Sequence, residues 1–255
     1  MADFQVTVPR NPHRHRRRIM HLGLLALLTT LAGLLLVVYF QPRWLLNSVA
    51  RSSPGVFYFL RTQERVVALT IDDAPHPVVT PRILDVLRQN GAHATFFVIG
   101  DHARGNQAIL ERMRWEGNEL GNHLEHEYPS IRLKPTKFEE ELRAVDEVIR
   151  PAAATKWFRP GSGWYNERML IQGRRQGYRC ALGSVYPFDT LVRSEWLIGW
   201  YIRSQVFPGA VIILHDGKGD RMRSVRVLSK ILPDLKRLGY EVVTLSELNA
   251  RQSIR

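Results

Sequence analysis

Residues 66–100 read VVALTIDDAPHPVVTPRILDVLRQNGAHATFFVIG, and this stretch decides the fold. Val66–Ile71 is apolar and rich in β-branched residues, the composition of a parallel strand buried on both faces. Two adjacent carboxylates, Asp72 and Asp73, close it. Thr80–Pro81 then reads as a helix start, with Thr as cap and Pro in the first turn. Ile83, Leu84 and Leu87 lie on one helical face, and Gly91 ends the helix. His93–Ile99 reads as the next strand. Strand, helix and strand in one short run make a βα unit.

The same alternation extends outward. Helix Ile109–Glu116 ends at Gly117 and is followed by strand Glu119–Gly121. Thr136-Lys-Phe-Glu139 reads as a capping box opening helix Lys137–Ile149. Strand Lys156–Phe158, a helix capped by Asn166 and ending at Gly177, and strand Arg179–Leu182 come next. Strand Ala210–Leu214, helix Ser224–Leu238 ended by Gly239, and strand Glu241–Leu245 complete the pattern. Strands recurring every ~25–35 residues between helices predict an α/β domain with a parallel sheet. Their regularity favours a barrel, complete or not, over an open sheet.

The front of the 255-residue chain is different in kind. Arg10, Arg14, Arg16, Arg17 and Arg18 crowd the first 18 residues. Ile19–Phe40 is apolar apart from His21, Thr29, Thr30 and Tyr39, long enough to cross a bilayer as a helix. The positive-inside rule keeps residues 1–18 in the cytoplasm and exports the rest, with Tyr39, Phe40 and Trp44 at the outer interface. A cleaved signal peptide is the alternative, with Ser48-Val-Ala50 as its small-residue site. Residues 41–64, punctuated by Pro42, Pro54 and Gly55, read as a linker to a catalytic domain at 65–250. The net charge of +12 suits anionic surfaces. No basic block interleaved with aromatics suggests nucleic-acid binding. The one cysteine, Cys180, excludes an internal disulfide and reads as a small core residue.

Polar residues gather where the strands end, and in a βα barrel those ends line one face. Asp72 and Asp73 point different ways along their strand, so one can hold a metal while the other faces substrate. Gly121-Asn-His123-Leu-Glu125-His126-Glu127 offers several ligands; on a helical turn His123 pairs with His126 or Glu127. Nitrogen and carboxylate donors suit zinc or another divalent ion. Arg159 precedes the Pro160-Gly-Ser-Gly163 loop, whose backbone N–H groups can approach a ligand. Asp189 follows Tyr186-Pro-Phe, and His215 ends Ile212-Ile-Leu214, where it can act as a general acid or base.

In this order, these five segments resemble the polysaccharide deacetylase (NodB-homology) family of carbohydrate esterases. Thr70-Ile-Asp-Asp-Ala-Pro75 is similar to the family's opening motif, and 80–100 is similar almost throughout; the likeness covers about residues 65–247. It implies a distorted (β/α)7-type barrel behind the N-terminal transmembrane helix, and a hydrolase removing acetyl groups from N-acetylated polysaccharide. It assigns Asp72 as general base, Asp73 and His123 as metal ligands, Arg159 as the brace of the base and His215 as general acid. Asp189 becomes the carboxylate that tunes His215 or Arg159. The resemblance also implies a divalent metal, zinc by default, with cobalt or manganese as alternatives. This chain departs from the motif. The family's second histidine stands at position 127, which is Glu here, so Glu127 or a shifted His126 is the third ligand. Ala74 replaces a glycine, and Gly161-Ser-Gly163 replaces Pro-Tyr-Gly, leaving Trp164 as the nearby aromatic.

Overall fold

The computed structural model describes residues 12–149, 156–217 and 222–251. The chain divides into two units, 1–43 and 44–255. In the first, helix α1 (Pro12–Phe40) contains the 21-residue span Met20–Phe40. Among the described residues it is the one helix long and apolar enough to cross a membrane, and none of that span is buried. The basic tail expected at 1–18 falls mostly outside the described residues.

The second unit is a curled, wholly parallel sheet wrapped by helices. Its strands are β1 (Val56–Phe57), β2 (Val66–Ala74), β3 (Thr95–Val98), β4 (Glu119–Asn122), β5 (Lys156–Phe158), β6 (Tyr178–Ala181), β7 (Val211–His215) and β8 (Glu241–Val243). They run in the order β1-β6-β5-β4-β3-β2-β7, with β8 beside the start of β2. Past the ends of β1 and β6, isolated bridges from Phe59 to Ala210 and from Val185 to Ile212 join that side of the row to β7, with backbone hydrogen bonds such as Leu60 N–H to Gly209 O (2.8 Å). The distorted barrel is therefore closed loosely on that side. Val66–Ile71 is buried on both faces, as its largely apolar composition requires, and the one hydroxyl in it, of Thr70, donates to Ile212 O (2.8 Å).

The helices are α2 (Arg43–Ser52), α3 (Val79–Asn90), α4 (Gly100–Ala103), α5 (Gln107–Trp115), α6 (Pro135–Ile149), α7 (Glu167–Arg175), α8 (Glu195–Gln205), α9 (Met222–Arg237) and α10 (Leu245–Ala250). Several differ from expectation. The stretch 41–64 holds all of α2 and of β1, which pairs with β6 and so belongs to the sheet. Ser48-Val-Ala50 lies within α2. Thr80 lies inside α3 rather than capping it; its hydroxyl accepts the N–H of His76 (2.7 Å) and donates to Asp216. Helix α6 starts before Thr136, because Pro135 opens the first turn and the Phe138 N–H already bonds Lys134 O. Asn166 does cap α7, accepting from Met169 N. Helices α8 and α10 had no counterpart in the sequence reading.

Candidate active site

Parallel pairing brings the strand ends together. The β2–β7 register sets Asp72 beside His215, and Asn122 of β4 pairs with Phe158 of β5, placing His123 next to Arg159. Arg159 and Asp72 stand three strands apart in the row, about 14 Å on a flat sheet. Their side chains nevertheless meet at 2.5 Å, because the sheet curls and Arg159 crosses its interior.

Arg159 is fully committed there. Its Nε donates to Ala181 O (3.0 Å), one terminal nitrogen to Leu182 O (2.5 Å), and the other to Thr70 Oγ1 (2.9 Å) and Asp72 Oδ1 (2.5 Å). The guanidinium lies 4.1 Å from the centre of the Phe97 ring. Burial alone would raise the Asp72 carboxyl. Arg159, with smaller contributions from His123 and His215, overcomes that and holds it below the usual carboxylate range.

The other Asp72 oxygen faces His215 Nε2 at 3.9 Å. His215 is held from behind: Asp189 accepts its Nδ1–H at 2.9 Å and its backbone N–H at 3.0 Å. Of the two roles open to Asp189, this geometry favours the one with His215. Burial would lower the imidazole, but the Asp189 carboxylate, with Asp72 and Asp73, pushes it up to about 9. His215 is therefore a cation at neutral pH, beside an ionised Asp72.

Asp73 takes a left-handed conformation (φ 67°), which turns its side chain away from that of Asp72. A Cβ on Gly217 would meet the Asp73 Cβ at 2.5 Å, so the turn after His215 needs glycine to pass. Asp73 Oδ1 lies 3.6 Å from His123 Nε2. His123 Nδ1 is 2.7 Å from Arg159 O; a carbonyl only accepts, so Nδ1 carries a proton, and in the neutral ring Nε2 presents its lone pair. Such a tether is the usual support of a metal-binding imidazole. In chemistry and orientation, this pair fits a divalent ion.

The other expected ligands are placed unequally. Residues 123–128 form no helical turn, because Leu124 adopts φ 67°, so the i,i+4 spacing does not put their side chains on one face. His126 points to Asp101 (Nδ1 to Oδ2, 2.5 Å) and packs on Tyr128, outside the Asp73–His123 pair. Glu127 faces His102 Nε2 at 3.4 Å. Among the described residues, no three His, Cys, Asp or Glu side chains are gathered as a formed metal site.

His102 was missed in the sequence: it lies in α4, outside the motif segments, and the docking of α4 on the 123–128 loop brings it to the site. The glycine loop after Arg159 also departs from expectation. Its Gly161 N–H bonds Ser130 Oγ (2.6 Å) and its Gly163 N–H bonds Pro160 O (3.0 Å), so both are engaged internally. Trp164 is exposed. Cys180 is buried and its thiol is pushed up to about 12, which suits packing rather than nucleophilic attack.

Comparison with known proteins agrees with this arrangement. The sequence profile of the family described as "Polysaccharide deacetylase" matches residues 60–181. A peptidoglycan-N-acetylglucosamine deacetylase of Bacillus cereus is 36% identical over 193 residues, 72% of this chain and 88% of that protein. A chitooligosaccharide deacetylase of Bradyrhizobium sp. is 32% identical over 199 residues, 72% of this chain and 91% of that protein. A crystal structure of a peptidoglycan N-acetylglucosamine deacetylase superimposes with a TM-score of 0.72 at 30% identity, covering 76% of this chain and 92% of that one.

Proposed function

We propose that this chain, which belongs to the polysaccharide deacetylase family, is a metal-dependent hydrolase that removes N-acetyl groups from N-acetylglucosamine units of a cell-wall or extracellular polysaccharide. The observation that carries the reading is the acid–base pair. Asp72 has one oxygen on Arg159 and the other 3.9 Å from His215 Nε2, whose far nitrogen is bound by Asp189. A hydrolysis of this kind needs a base and an acid with separated pKa values in one pocket. The names of the relatives support N-acetylglucosamine as the sugar.

In this mechanism Asp72, kept ionised by Arg159, takes a proton from the attacking water as its oxygen bonds to the acetyl carbon. The C–N bond then breaks, His215 gives its Nε2 proton to the leaving amine, and acetate departs. Asp189 fixes the ring so that Nε2 faces the reaction and stabilises the charged imidazole. Asp73, His123 and Glu127 would hold the divalent ion, zinc by default and cobalt or manganese on the same donors, which when bound polarises the carbonyl and acidifies water.

The span Met20–Phe40 would anchor the chain, with the N-terminus cytoplasmic and the catalytic unit exported. Added protease on intact cells should then digest residues beyond 44 and spare the N-terminus; protection of the catalytic unit would overturn the orientation. For activity, the full chain in detergent is expected to release acetate from N-acetylglucosamine oligomers, to lose that activity to a chelator and to regain it with zinc, cobalt or manganese. Absence of release from every N-acetylated glycan, with metal bound, would sink the reading. Release from O-acetyl esters alone would replace it with an esterase.

A further inference from the structure

The position where the family motif places a second imidazole is Glu127, yet an imidazole from another element stands beside it. His102 comes from α4, and α4 is locked to the 123–128 loop by two backbone hydrogen bonds, Gly100 N–H to Leu124 O and Asp101 N–H to Glu125 O, each 3.0 Å. That lock sets His102 Nε2 3.4 Å from Glu127 Oε1.

His102 repeats the arrangement of His123. Its Nδ1 lies 2.7 Å from a backbone carbonyl, that of Asp73, so Nδ1 carries a proton and, in the neutral ring, Nε2 turns its lone pair toward a carboxylate. His123 does the same with Arg159 O and the Asp73 carboxylate. A lone pair facing a carboxylate oxygen is repulsive unless a proton or a cation lies between them. The separations, 3.4 and 3.6 Å, exceed the 2.7–3.2 Å of a good N–H···O hydrogen bond. They are close to the ~3.4 Å that separates two donors each ~2.1 Å from a tetrahedral zinc. Asp73 takes part in both arrangements, its carboxylate facing His123 and its carbonyl anchoring His102. His126 has neither feature: its Nδ1 meets the Asp101 carboxylate directly at 2.5 Å.

We propose that His102 is a metal ligand, supplying from α4 the imidazole that position 127 lacks, so that a bound ion would draw together two facing pairs, Asp73 with His123 and His102 with Glu127, as one donor set. This rests on the metal-dependent reading above and goes beyond it by giving the site two imidazoles instead of one. The set also predicts a particular ion class. Two imidazoles and two carboxylates favour zinc or a neighbouring first-row ion over magnesium or calcium, which take oxygen donors.

The test counts imidazoles. Zinc-edge X-ray absorption on the zinc-loaded full chain in detergent is expected to fit two, falling to one in His102→Ala and to one in His123→Ala, and staying at two in His126→Ala. Zinc affinity, measured by competition with a chromophoric chelator, is expected to fall about 10-fold or more in His102→Ala. One imidazole in the unsubstituted chain overturns the proposal whatever the stability of the variants, and leaves a metal site built from Asp73, His123 and Glu127. Two imidazoles retained in His102→Ala also overturn it. Failure of the unsubstituted chain to bind zinc, cobalt or manganese would remove the metal-dependent reading itself.

Discussion

The two halves of the site are built on opposite principles. In the acid–base half, Asp72, Arg159, Asp189 and His215 are nearly enclosed, and each charge has its opposite in contact: carboxylate on guanidinium, carboxylate on imidazolium. Each pair is neutral within itself; the backbone acceptors Ala181 O and Leu182 O hold Arg159, and the backbone N–H of His215 donates to Asp189. In the donor half, Asp73, Glu127 and His102 are more open, and two carboxylates face imidazoles whose protons are bonded elsewhere. With the carboxylates ionised, that half carries an excess of negative charge that a divalent cation would balance. The acid–base half is thus complete in the polypeptide, while the donor half, on the metal-dependent reading proposed above, takes a charge supplied from outside.

The largest effect is expected from Asp72→Asn, which removes the base without touching the donors. Acetate release should fall by about 10²–10⁴-fold, with zinc content unchanged by elemental analysis. Loss of zinc as well would show that the two halves are not separate. Next comes Arg159→Met, which leaves the enclosed Asp72 carboxylate without its counter-charge. Breaking a buried pair from one side costs about 3–5 kcal/mol, to be read from urea unfolding at neutral pH. The sign of its pH dependence follows from the depressed Asp72 pKa. The pair stabilises the fold above the ordinary carboxylate range, and that contribution is lost as pH falls through the depressed value. The gap between parent and variant should therefore narrow in acid; a gap independent of pH would argue that Arg159 acts through packing alone.

Much of this division was legible in the chain. Val66–Ile71 is apolar except for Thr70 because both its faces are covered, and the charged residues that close such runs mark the strand ends that share one mouth. What escaped detection was structure defined by a distant partner. The two-residue β1 is a strand only because it pairs with β6, and Pro54 and Gly55 before it read as linker. Helix α8 carries Trp196, Leu197, Ile198, Trp200, Tyr201 and Ile202, with no clean apolar face to give it a helical pattern; in the structure Ser194 caps it, accepting from Leu197 N. In the donor segment, the spacing from His123 to Glu127 suggested a helical face, but the left-handed Leu124 separates what that spacing would have joined. His102 lies outside the motif and comes beside Glu127 only through the docking of α4.

Asp189→Asn sharpens the acid–base half by one charge. His215 is pushed up to about 9 chiefly by Asp189, so the protonated acid persists across neutral pH and is lost as pH rises through that value. In the variant the alkaline limb of the kcat profile should move from near 9 toward the ordinary histidine value of ~6.5, while the acid limb, set by Asp72, stays in place. The same shift has a stability counterpart. The raised pKa contributes stability that is fully present below ~6.5 and lost as pH rises through about 9, so the parent's advantage over the variant should disappear in alkali. A profile whose alkaline limb does not move would assign that limb to another group.

The smallest effect is expected from His126→Ala, and its smallness is what makes it informative. His126 stands one residue before Glu127 and was a natural candidate for a shifted ligand, yet its ring is substantially exposed and bonded to Asp101, itself half exposed. Exposed ion pairs contribute about 0–1 kcal/mol, and burial lowers neither partner's access to water here. Zinc affinity and acetate release should therefore stay within about 3-fold of the parent, a difference worth under ~1 kcal/mol. A loss comparable to that of His123→Ala would mean that the 123–128 loop rearranges around the proposed ion, bringing His126 inward and breaking the distinction between the enclosed half and the more open one.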